Sequence, residues 1–243
     1  MTERFEQKIR SGFEQLGIPA DHDTAEKLFR YYEMLIEKNK VMNLTAITEE
    51  DEVITKHIID SVSLVACLDR KYLENAKVID VGTGAGLPGM ILKIVFPNMK
   101  MTLFDSLKKR LVFLEEVISV LGLKEVTTVH GRAEDYGRDK KMRESYDLAV
   151  SRAVANMSSL SEYCLPFVKK NGYFAAYKSA ESQEEIRSAG NALKILGGEI
   201  EKDAEFVLPD SDIRRRIVLV RKIRQTPAAY PRKAGVPAKE PLK

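Results

Sequence analysis

The residues with the most evident chemistry form a glycine-rich run between a predicted strand and a predicted helix. It reads I-D-V-G-T-G-A-G-L-P-G, from Ile79 to Gly89. Glycines let a chain turn sharply and let a ligand approach the backbone with no Cβ in the way. The run therefore predicts a site where a large or flat ligand rests on the turn, with contacts at Gly82, Gly84 and Gly86.

Two acidic residues indicate which ligand this turn holds. Asp80 lies two residues before Gly82, where a pyrophosphate would meet a repelling carboxylate. S-adenosylmethionine has no phosphate and carries an ammonium and a sulfonium, which an acid attracts in a partly desolvated site. Asp105 ends the next predicted strand, where a carboxylate can accept hydrogen bonds from both ribose hydroxyls. We therefore predict S-adenosylmethionine as the ligand, with Asp80, Asp105 and the adjacent Ser106 among its contacts.

A third segment, G-R-A-E-D, follows the third predicted strand. Its position there places Ala133 and Glu134 where they can meet the edge of an adenine. The alternative for Glu134 is an acid that water solvates in a loop.

A nicotinamide dinucleotide is the alternative cofactor, because Gly84, Gly86 and Gly89 also match the pattern G-x-G-x-x-G. Asp105 suits either ligand, since both carry an adenosine ribose. The carboxylates of Asp80 and Glu134 argue against the dinucleotide, and thus against a nicotinamide oxidoreductase.

The elements that position these residues alternate between strands and helices from residue 76 onward. Strands are predicted near 76–81, 99–105, 126–130, 146–151, 172–177, 199–208 and 214–221, and helices from Pro88 and over 107–121, 158–167 and 181–196. Such alternation with short connections predicts an α/β fold, a mostly parallel seven-stranded sheet with helices on both faces. The last two strands have no helix between them, which predicts an antiparallel edge.

The two ends of the chain have a different character from this central part. Residues 1–70 are predicted to form an N-terminal helical extension, with one helix from Asp23 to Lys40, begun by a capping box of Asp23 and Glu26. A second helix is predicted over 51–68, with Thr48 able to cap it. Residues 71–224 form the ligand-binding domain, and the prolines of residues 225–243 predict an extended tail with neither helix nor inner strand.

Composition narrows the class of protein. The 243 residues include 39 basic and 36 acidic side chains, and a net charge of +3 is too small to identify a nucleic-acid partner. No stretch approaches the length and apolarity of a membrane span or a signal peptide. The three histidines and two cysteines are scattered, so we predict no metal site and a reducing, cytoplasmic setting.

Basic side chains are clustered although the total charge is small. Lys108, Lys109 and Arg110 lie in the first turn of a predicted helix, where positive charge opposes the helix dipole, so they are candidates for phosphate contact beside Asp105. The alternative is pairing with nearby acids such as Glu115 or Glu116. The basic tail suits phosphate contact as well. The predicted RNA contacts are Lys108, Lys109, Arg110, Arg214, Arg216, Arg232 and Lys233.

Four stretches together carry a resemblance to a known family. They read D-V-G-T-G-A-G-L-P-G, D-S-L-K-K-R, S-R-A-V-A and T-P-A-A-Y-P-R-K-A-G-V-P. The chain resembles, over nearly its whole length, the ribosomal RNA small subunit methyltransferase G family, also called glucose-inhibited division protein B. The resemblance implies a Rossmann-like class I methyltransferase that methylates N7 of a guanine in bacterial 16S ribosomal RNA, as RNA or as the small ribosomal subunit particle, and releases S-adenosylhomocysteine. It also implies cofactor contacts at Gly82, Leu87, Ala133, Glu134 and Arg152.

The predicted chemistry needs no general base. Guanine N7 already has an in-plane lone pair and no proton to lose, so catalysis would consist of alignment. Arg152 follows the fourth strand at the predicted meeting point of cofactor and substrate, and an Arg152→Ala variant is expected to lose turnover with little change in thermal stability. The alternative for Arg152 is a structural ion pair. A methyltransferase for a small molecule or a protein, or a binding module without catalysis, are alternative functions, and a monomer would suffice.

Overall fold

A computed structural model of the chain describes residues 1–152 and 155–243. The S-R-A-V-A segment is thus described only at Ser151, Arg152 and Ala155, and Ala153 and Val154 lie outside the described residues. The strands are β1 (Lys77–Val81), β2 (Lys100–Asp105), β3 (Val126–His130), β4 (Tyr146–Arg152), β5 (Val168–Ser179), β6 (Gly198–Val207) and β7 (Arg214–Lys222).

These strands form one seven-stranded sheet in the order β3-β2-β1-β4-β5-β7-β6. The neighbouring pairs from β3 to β5 are parallel, and β7 runs antiparallel to both β5 and β6. This confirms the predicted Rossmann-like α/β class and its antiparallel edge, in which β7 is inserted beside β5 and β6 is outermost.

Side chains alternate between two hydrophobic clusters, one on each face of the sheet. On β1, Val78 packs into the cluster that contains the N-terminal helices, whereas Ile79 packs into the cluster on the opposite face. Because successive side chains of a strand point to opposite faces, near-continuous apolar strands result when both faces are covered. Asp80 and Asp105, at the ends of such strands, are consequently buried.

The N-terminal helices are α1 (Glu3–Gln15) and α2 (His22–Met42). The predicted capping box at Asp23 is wrong, because Asp21 occupies the N-cap and accepts a hydrogen bond from the backbone N–H of Thr24 at 2.8 Å. An aspartate just outside the first turn can reach that N–H, whereas Asp23 already lies inside the helix and pairs with Lys27.

The helix predicted over residues 51–68 is present but changes its winding three times. It runs through α3 (Glu50–Val53), a π-helical segment (Ile54–Ile59), α4 (Asp60–Val62) and a 3₁₀ turn (Ser63–Ala66). Thr48 does not cap it, since Glu49 holds the N-cap position without a side-chain hydrogen bond. Short π segments within helices are frequent at functional sites.

The remaining α-helices are short except for α7, which is as long as α1. They are α5 (Arg70–Glu74), α6 (Gly89–Val95), α7 (Lys108–Val120), α8 (Ala133–Tyr136), α9 (Met157–Cys164), α10 (Gln183–Ser188), α11 (Gly190–Leu196) and α12 (Val236–Lys239). The single helix predicted over 181–196 is interrupted at Ala189, beside Gly190, a residue that favours helix weakly. Among the residues described, no helix combines the length and apolarity required to cross a bilayer.

The C-terminal tail packs against the domain, and the prediction that it contains no helix is wrong. Pro237 lies in the first turn of α12, where its missing N–H would have no helical partner in any case. Arg138 and Arg143 donate hydrogen bonds to backbone carbonyls of residues 226–231. These side-chain donors satisfy backbone carbonyls of a segment that lies outside the helices and strands.

Candidate cofactor and substrate cleft

A cleft of about 830 Å³ lies at the carboxyl ends of β1, β2, β4 and β5. Ligands of open α/β sheets bind at this edge, because the loops that follow parallel strands converge there. Of the predicted site residues, the cleft is lined by Gly82, Gly84, Leu87, Asp105, Ser106, Arg110 and Arg152.

The turn after β1 exposes its backbone at Gly84. Gly82 and Gly84 have φ angles of 75° and 59°, in the left-handed region that favours glycine. A Cβ on Gly84 would meet only the carbonyl oxygen of Gly82, at 3.9 Å, so the space above it is open. Gly86 serves packing instead, since a Cβ there would lie 2.8 Å from the Cβ of Met90 and 2.9 Å from a methyl of Leu114.

Asp105 is fixed by backbone and side-chain donors. Its Oδ1 accepts the backbone N–H of Leu107 at 2.8 Å, and its Oδ2 accepts the N–H of Gly84 at 2.9 Å and the guanidinium of Arg110 at 3.4 Å. A carboxylate has about four acceptor positions, so the side chain retains capacity toward the cleft. This oriented carboxylate in the lining of the cleft, beside a bare glycine, fits the ribose of an adenosine ligand.

Asp80 supports the turn from beneath and does not line the cleft. Its Oδ2 accepts hydrogen bonds from the hydroxyl of Thr83 at 2.6 Å and from the backbone N–H of Gly89 at 2.8 Å. Its Oδ1 is buried and has no hydrogen-bond partner among the described residues. Burial raises the pKa of Asp80 to about 6. Asp80 is not among the residues that line the cleft, and its direct contact with the ligand stays a prediction.

Ala133 and Glu134 begin α8 and are both buried, and neither belongs to the lining of the cleft. Oε1 of Glu134 accepts the backbone N–H of Gly235 in the tail at 2.8 Å. Glu134 is therefore not a solvated loop acid, and its contact with adenine stays a prediction.

The N-terminal extension supplies one wall of the cleft, and the sequence did not predict this contribution. Its contributions are Leu44, Thr45, Ile47, Lys56, His57 and Asp60. For Lys56, His57 and Asp60 the sequence offered one signal, the segment K-H-I-I-D-S at residues 56–61, which lies within the part of the chain that the family resemblance covers and had no role assigned to it.

His57 in this wall is a neutral imidazole. Burial, aided by the positive charge of Arg152, lowers the pKa of His57 to about 4. Nδ1 lies 3.1 Å from the carbonyl oxygen of Lys56, so it donates its proton there, and Nε2 then accepts the hydroxyl of Thr45 at 2.9 Å. Both ring nitrogens are thus occupied by the protein itself.

Arg152 makes a buried ion pair with the same wall. Its Nη1 donates to Oδ2 of Asp60 at 2.7 Å and to the carbonyl oxygen of Lys56 at 3.2 Å. Oδ1 of Asp60 accepts Nε of Arg215 at 3.2 Å. The alternative of an ion pair for Arg152 is thus realised, and Arg152 still lines the cleft.

The predicted RNA contacts separate into two groups. Lys108 and Lys109 are exposed at the start of α7, next to the cleft, and within the described part of the chain no carboxylate forms an ion pair with either. Glu116 pairs with Lys38 instead, and Glu115 accepts the hydroxyl of Thr128.

The second group lies away from the cleft. Arg214 and Arg216 pair with acids of β6, and Arg216 is 8% exposed. Arg232 pairs with the buried Glu162 at 2.7 Å. Of the predicted tail contacts, Lys233 is exposed. In residues 1–152 and 155–243, no group of three or more His, Cys, Asp or Glu side chains is arranged to hold a metal ion.

Known proteins of one family are similar to this chain in sequence. The family model described as rRNA small subunit methyltransferase G matches residues 24–213. The ribosomal RNA small subunit methyltransferase G of Alkaliphilus metalliredigens is 50% identical over 236 residues, which cover 97% of this chain and 98% of that protein. The protein of the same name from Acetivibrio thermocellus is 52% identical over 232 residues, covering 96% and 93%.

Solved structures resemble the chain in fold. A putative S-adenosyl-L-methionine-dependent methyltransferase from Methanococcus maripaludis has a TM-score of 0.53 at 16% identity, covering 80% of this chain and 93% of that one. An S-adenosylmethionine-dependent O-methyltransferase from Thermotoga maritima has a TM-score of 0.51 at 18% identity, covering 79% and 72%.

Proposed function

Since this chain belongs to the rRNA small subunit methyltransferase G family and is therefore an rRNA methyltransferase, we propose that it methylates N7 of a guanine in bacterial 16S ribosomal RNA. One observation carries the cofactor assignment. The backbone at Gly84 is open above a fixed Asp105 carboxylate, at the sheet edge where this fold binds ligands.

The site residues fit S-adenosylmethionine. Asp105 would hold the ribose, with Gly82, Gly84, Leu87 and Ser106 along the cofactor. The unpartnered buried oxygen of Asp80, beneath the turn, suits a cationic ligand better than a phosphate. When bound, S-adenosylmethionine supplies a methyl group attached to a positively charged sulfur, and S-adenosylhomocysteine is the product.

The protein's contribution to transfer is alignment. Guanine N7 has an in-plane lone pair, so no proton has to leave before it attacks. The wall opposite the glycine turn agrees with this, because His57 is neutral and hydrogen-bonded at both nitrogens and is not arranged as a base. Correct placement of the two reactants can lower a barrier by about 7 to 11 kcal/mol. Arg152, anchored by Asp60, is the proposed positioning residue.

The same proposal covers organisation and setting. The substrate would be 16S ribosomal RNA or the small ribosomal subunit particle in the cytoplasm, and a monomer would suffice. We propose that the chain has three parts. Residues 1–70 form an extension that supplies the substrate side of the cleft, residues 71–224 form the cofactor-binding domain, and residues 225–243 form a tail that packs against this domain.

Methyl transfer to small-subunit particles that lack the modification tests this function. We expect the protein to transfer label from S-adenosylmethionine to a guanine, which base mapping would place at N7. Asp105→Asn should weaken donor binding by about tenfold or more, because it converts one acceptor of the carboxylate into a donor. The exposed Asp135→Asn change is the matched control and should leave donor binding unaltered.

Calorimetric titration of the protein with S-adenosylmethionine and with a nicotinamide dinucleotide separates a methyltransferase from a nicotinamide oxidoreductase. Binding of a nicotinamide dinucleotide in place of S-adenosylmethionine would overturn the proposal. Donor binding with methyl transfer to a small molecule or protein, and none to the particle, would leave the cofactor assignment standing and overturn the RNA substrate.

A further inference from the structure

Three consecutive arginines in β7 divide between the two faces of the sheet. Arg216 lies opposite Glu205 in the register of β6 and β7, and Arg214 lies opposite Val207. Both guanidiniums pair with acids of β6. Arg215, between them, points to the other face and lines the cleft. Because successive side chains of a strand point to opposite faces of the sheet, Arg215 is the one of these three arginines that lies on the face of the cleft.

Arg215 is held in place but is not neutralised. Its Nε donates to Oδ1 of Asp60 at 3.2 Å and its Nη1 to the carbonyl oxygen of Arg214 at 3.2 Å. Asp60 is almost fully buried and also pairs with Arg152. One carboxylate thus faces two guanidiniums, which leaves an excess positive charge at this point of the wall.

The other cations of the cleft are each paired with an acid, so the excess charge lies at Arg152 and Arg215. The lining of the cleft contains the cations Lys56, Arg110, Arg152, Lys178 and Arg215 and the carboxylates Asp60 and Asp105. Lys56 and Lys178 each pair with a glutamate beside the cleft. Arg215 lines the cleft with a side chain that is 27% exposed, and within residues 1–152 and 155–243 its Nη2 donates no hydrogen bond. A guanidinium with N–H groups to spare and no carboxylate of its own matches the oxygens of a phosphodiester.

We propose that Arg215 anchors a backbone phosphate of the RNA strand that enters the cleft. The proposal rests on the proposed function for the identity of the substrate. Asp60 is the positioning residue that orients Arg215 toward the phosphate and Arg152 toward the transfer site. Arg214 and Arg216 take no part in this contact, because their guanidiniums lie on the other face of β7.

The salt dependence of RNA binding tests this anchor. Affinity for unmethylated small-subunit particles would be measured from about 50 to 200 mM salt for the wild type, Arg215→Gln and the neighbouring control Arg214→Gln. Loss of one phosphate contact should lower the slope of log affinity against log salt by about 0.7 to 0.9. We expect R215Q, and not R214Q, to show this change of slope. In R215Q the KM for the particle should also rise by about tenfold, whereas kcat should change much less. An R215Q slope equal to that of the wild type would overturn the anchor.

A purely structural role for Arg215 gives a different pattern. If Arg215 only held Asp60, R215Q would lower the melting temperature and turnover and leave the salt slope intact. Should R215Q fail to fold, arginine modification of the wild type by a dicarbonyl reagent replaces it. Bound particles should protect Arg215 and leave Arg214 reactive, and equal reactivity of Arg215 with and without particles would overturn the anchor.

Failure of the anchor can be told apart from failure of the proposed function. The salt slope is measured without the methyl donor, whereas the proposed function stands or falls with donor binding and transfer by the wild type. Transfer by the wild type with an unchanged R215Q slope rejects the anchor alone.

Discussion

At the scale of single residues, Asp60 and Arg152 join two distant parts of the chain at the cleft. Asp60 belongs to the N-terminal extension and Arg152 ends β4, and their side chains meet at 2.7 Å with both largely buried. Breaking such a pair leaves a charge without its partner, although Arg215 remains beside Asp60. Because of this ion pair, loss of Arg152 should lower stability as well as activity.

We expect Arg152→Ala to lose both activity and stability. Turnover should fall because the group at the transfer site is gone, and the free energy of unfolding should fall by about 1 to 3 kcal/mol because Asp60 loses a charged hydrogen bond. The sequence alone predicted nearly unchanged stability. Urea unfolding and single-turnover transfer measure the two effects, with the exposed Arg187→Ala as the control. An unchanged unfolding curve for R152A would show that the pair contributes nothing.

His57 should make stability depend on pH in a defined direction. Its pKa falls from 6.5 to about 4 on burial, so the unfolded chain binds this proton more readily than the folded one. The stabilisation from a neutral His57 is complete above about pH 6.5 and is lost as the pH falls toward 4. Asp80 acts in the opposite direction, because its raised pKa stabilises the fold at low pH and this is lost as the pH rises through about 6.

Comparison with His57→Gln isolates the histidine, since Asp80 is present in both proteins. The glutamine amide can donate to the carbonyl of Lys56 and accept from Thr45 but does not titrate. We expect the free energy of unfolding of the wild type to decrease relative to H57Q as the pH falls from 6.5 to 4, measured by urea unfolding. The exposed His22→Gln serves as the control, and a difference that stays constant with pH would contradict the assignment.

Prediction from sequence worked for the position of residues at strand ends. Asp105 lines the cleft as expected, because a residue at the end of β2 lies at the edge of the sheet where the loops converge. The partners of Arg152, Arg232 and Glu134 were not identifiable, because they lie far away in sequence and only the tertiary fold brings them together.

At the scale of elements, α6 packs against β1 through a glycine. A Cβ on Gly89 would lie 2.7 Å from Oδ2 of Asp80 and 2.8 Å from a methyl of Leu103. Gly89 also donates its backbone N–H to Asp80. The start of α6, the turn and the strand end are thus one packed unit.

Gly89→Ala should therefore destabilise the protein, and Gly190→Ala should not. Both glycines begin helices, but a Cβ on Gly190 meets nothing within 4 Å. We expect G89A to lower the free energy of unfolding by about 1 to 3 kcal/mol through overpacking, and G190A to leave it unchanged or raise it by up to about 1 kcal/mol. Thermal melts of the two variants provide the comparison, and equal melting temperatures would refute this account of the turn.

The regular elements were predictable because their patterns are local. Each of the seven strands was placed within a few residues, since apolar runs bounded by turns specify them. The π segment was missed, because a change of helical winding depends on the packing that surrounds it. The break at Ala189 was missed although the adjacent Gly190 favours helix weakly.

At the scale of the whole molecule, the tail closes back on the domain. Glu162 in α9 is fully buried and accepts both the backbone N–H and the guanidinium of Arg232. The hydroxyl of Ser159 reaches the carbonyl oxygen of Pro237 at 2.6 Å. The proline-rich sequence predicted an extended tail. Hydrogen bonds to Glu162 and Ser159, which lie far away in the sequence, hold this tail against the domain.

We expect Arg232→Met to lower the free energy of unfolding by about 3 to 5 kcal/mol, since it leaves the Glu162 carboxylate buried without its ion-pair partner. Arg187→Met, which removes a surface pair with 4.0 Å between the charged atoms, should change it by less than about 1 kcal/mol. Chemical denaturation gives both values. A small effect of R232M would show that water reaches Glu162 once the arginine is gone.

The wide turn at residues 54–59 also limits how this helix can change in length. A π turn holds one residue more than an α turn, so it can gain or lose that residue while the helix on either side keeps its orientation. A residue added or removed in the flanking α-helical segments would instead rotate the two sides by about 100° relative to each other. Val53 and Asp60, both buried, would then face new directions, and either the core or the cleft would lose its side chains. Single-residue insertions and deletions should consequently be absent from the α-helical segments beside this turn in functional descendants of the protein, even where surface loops vary freely in length.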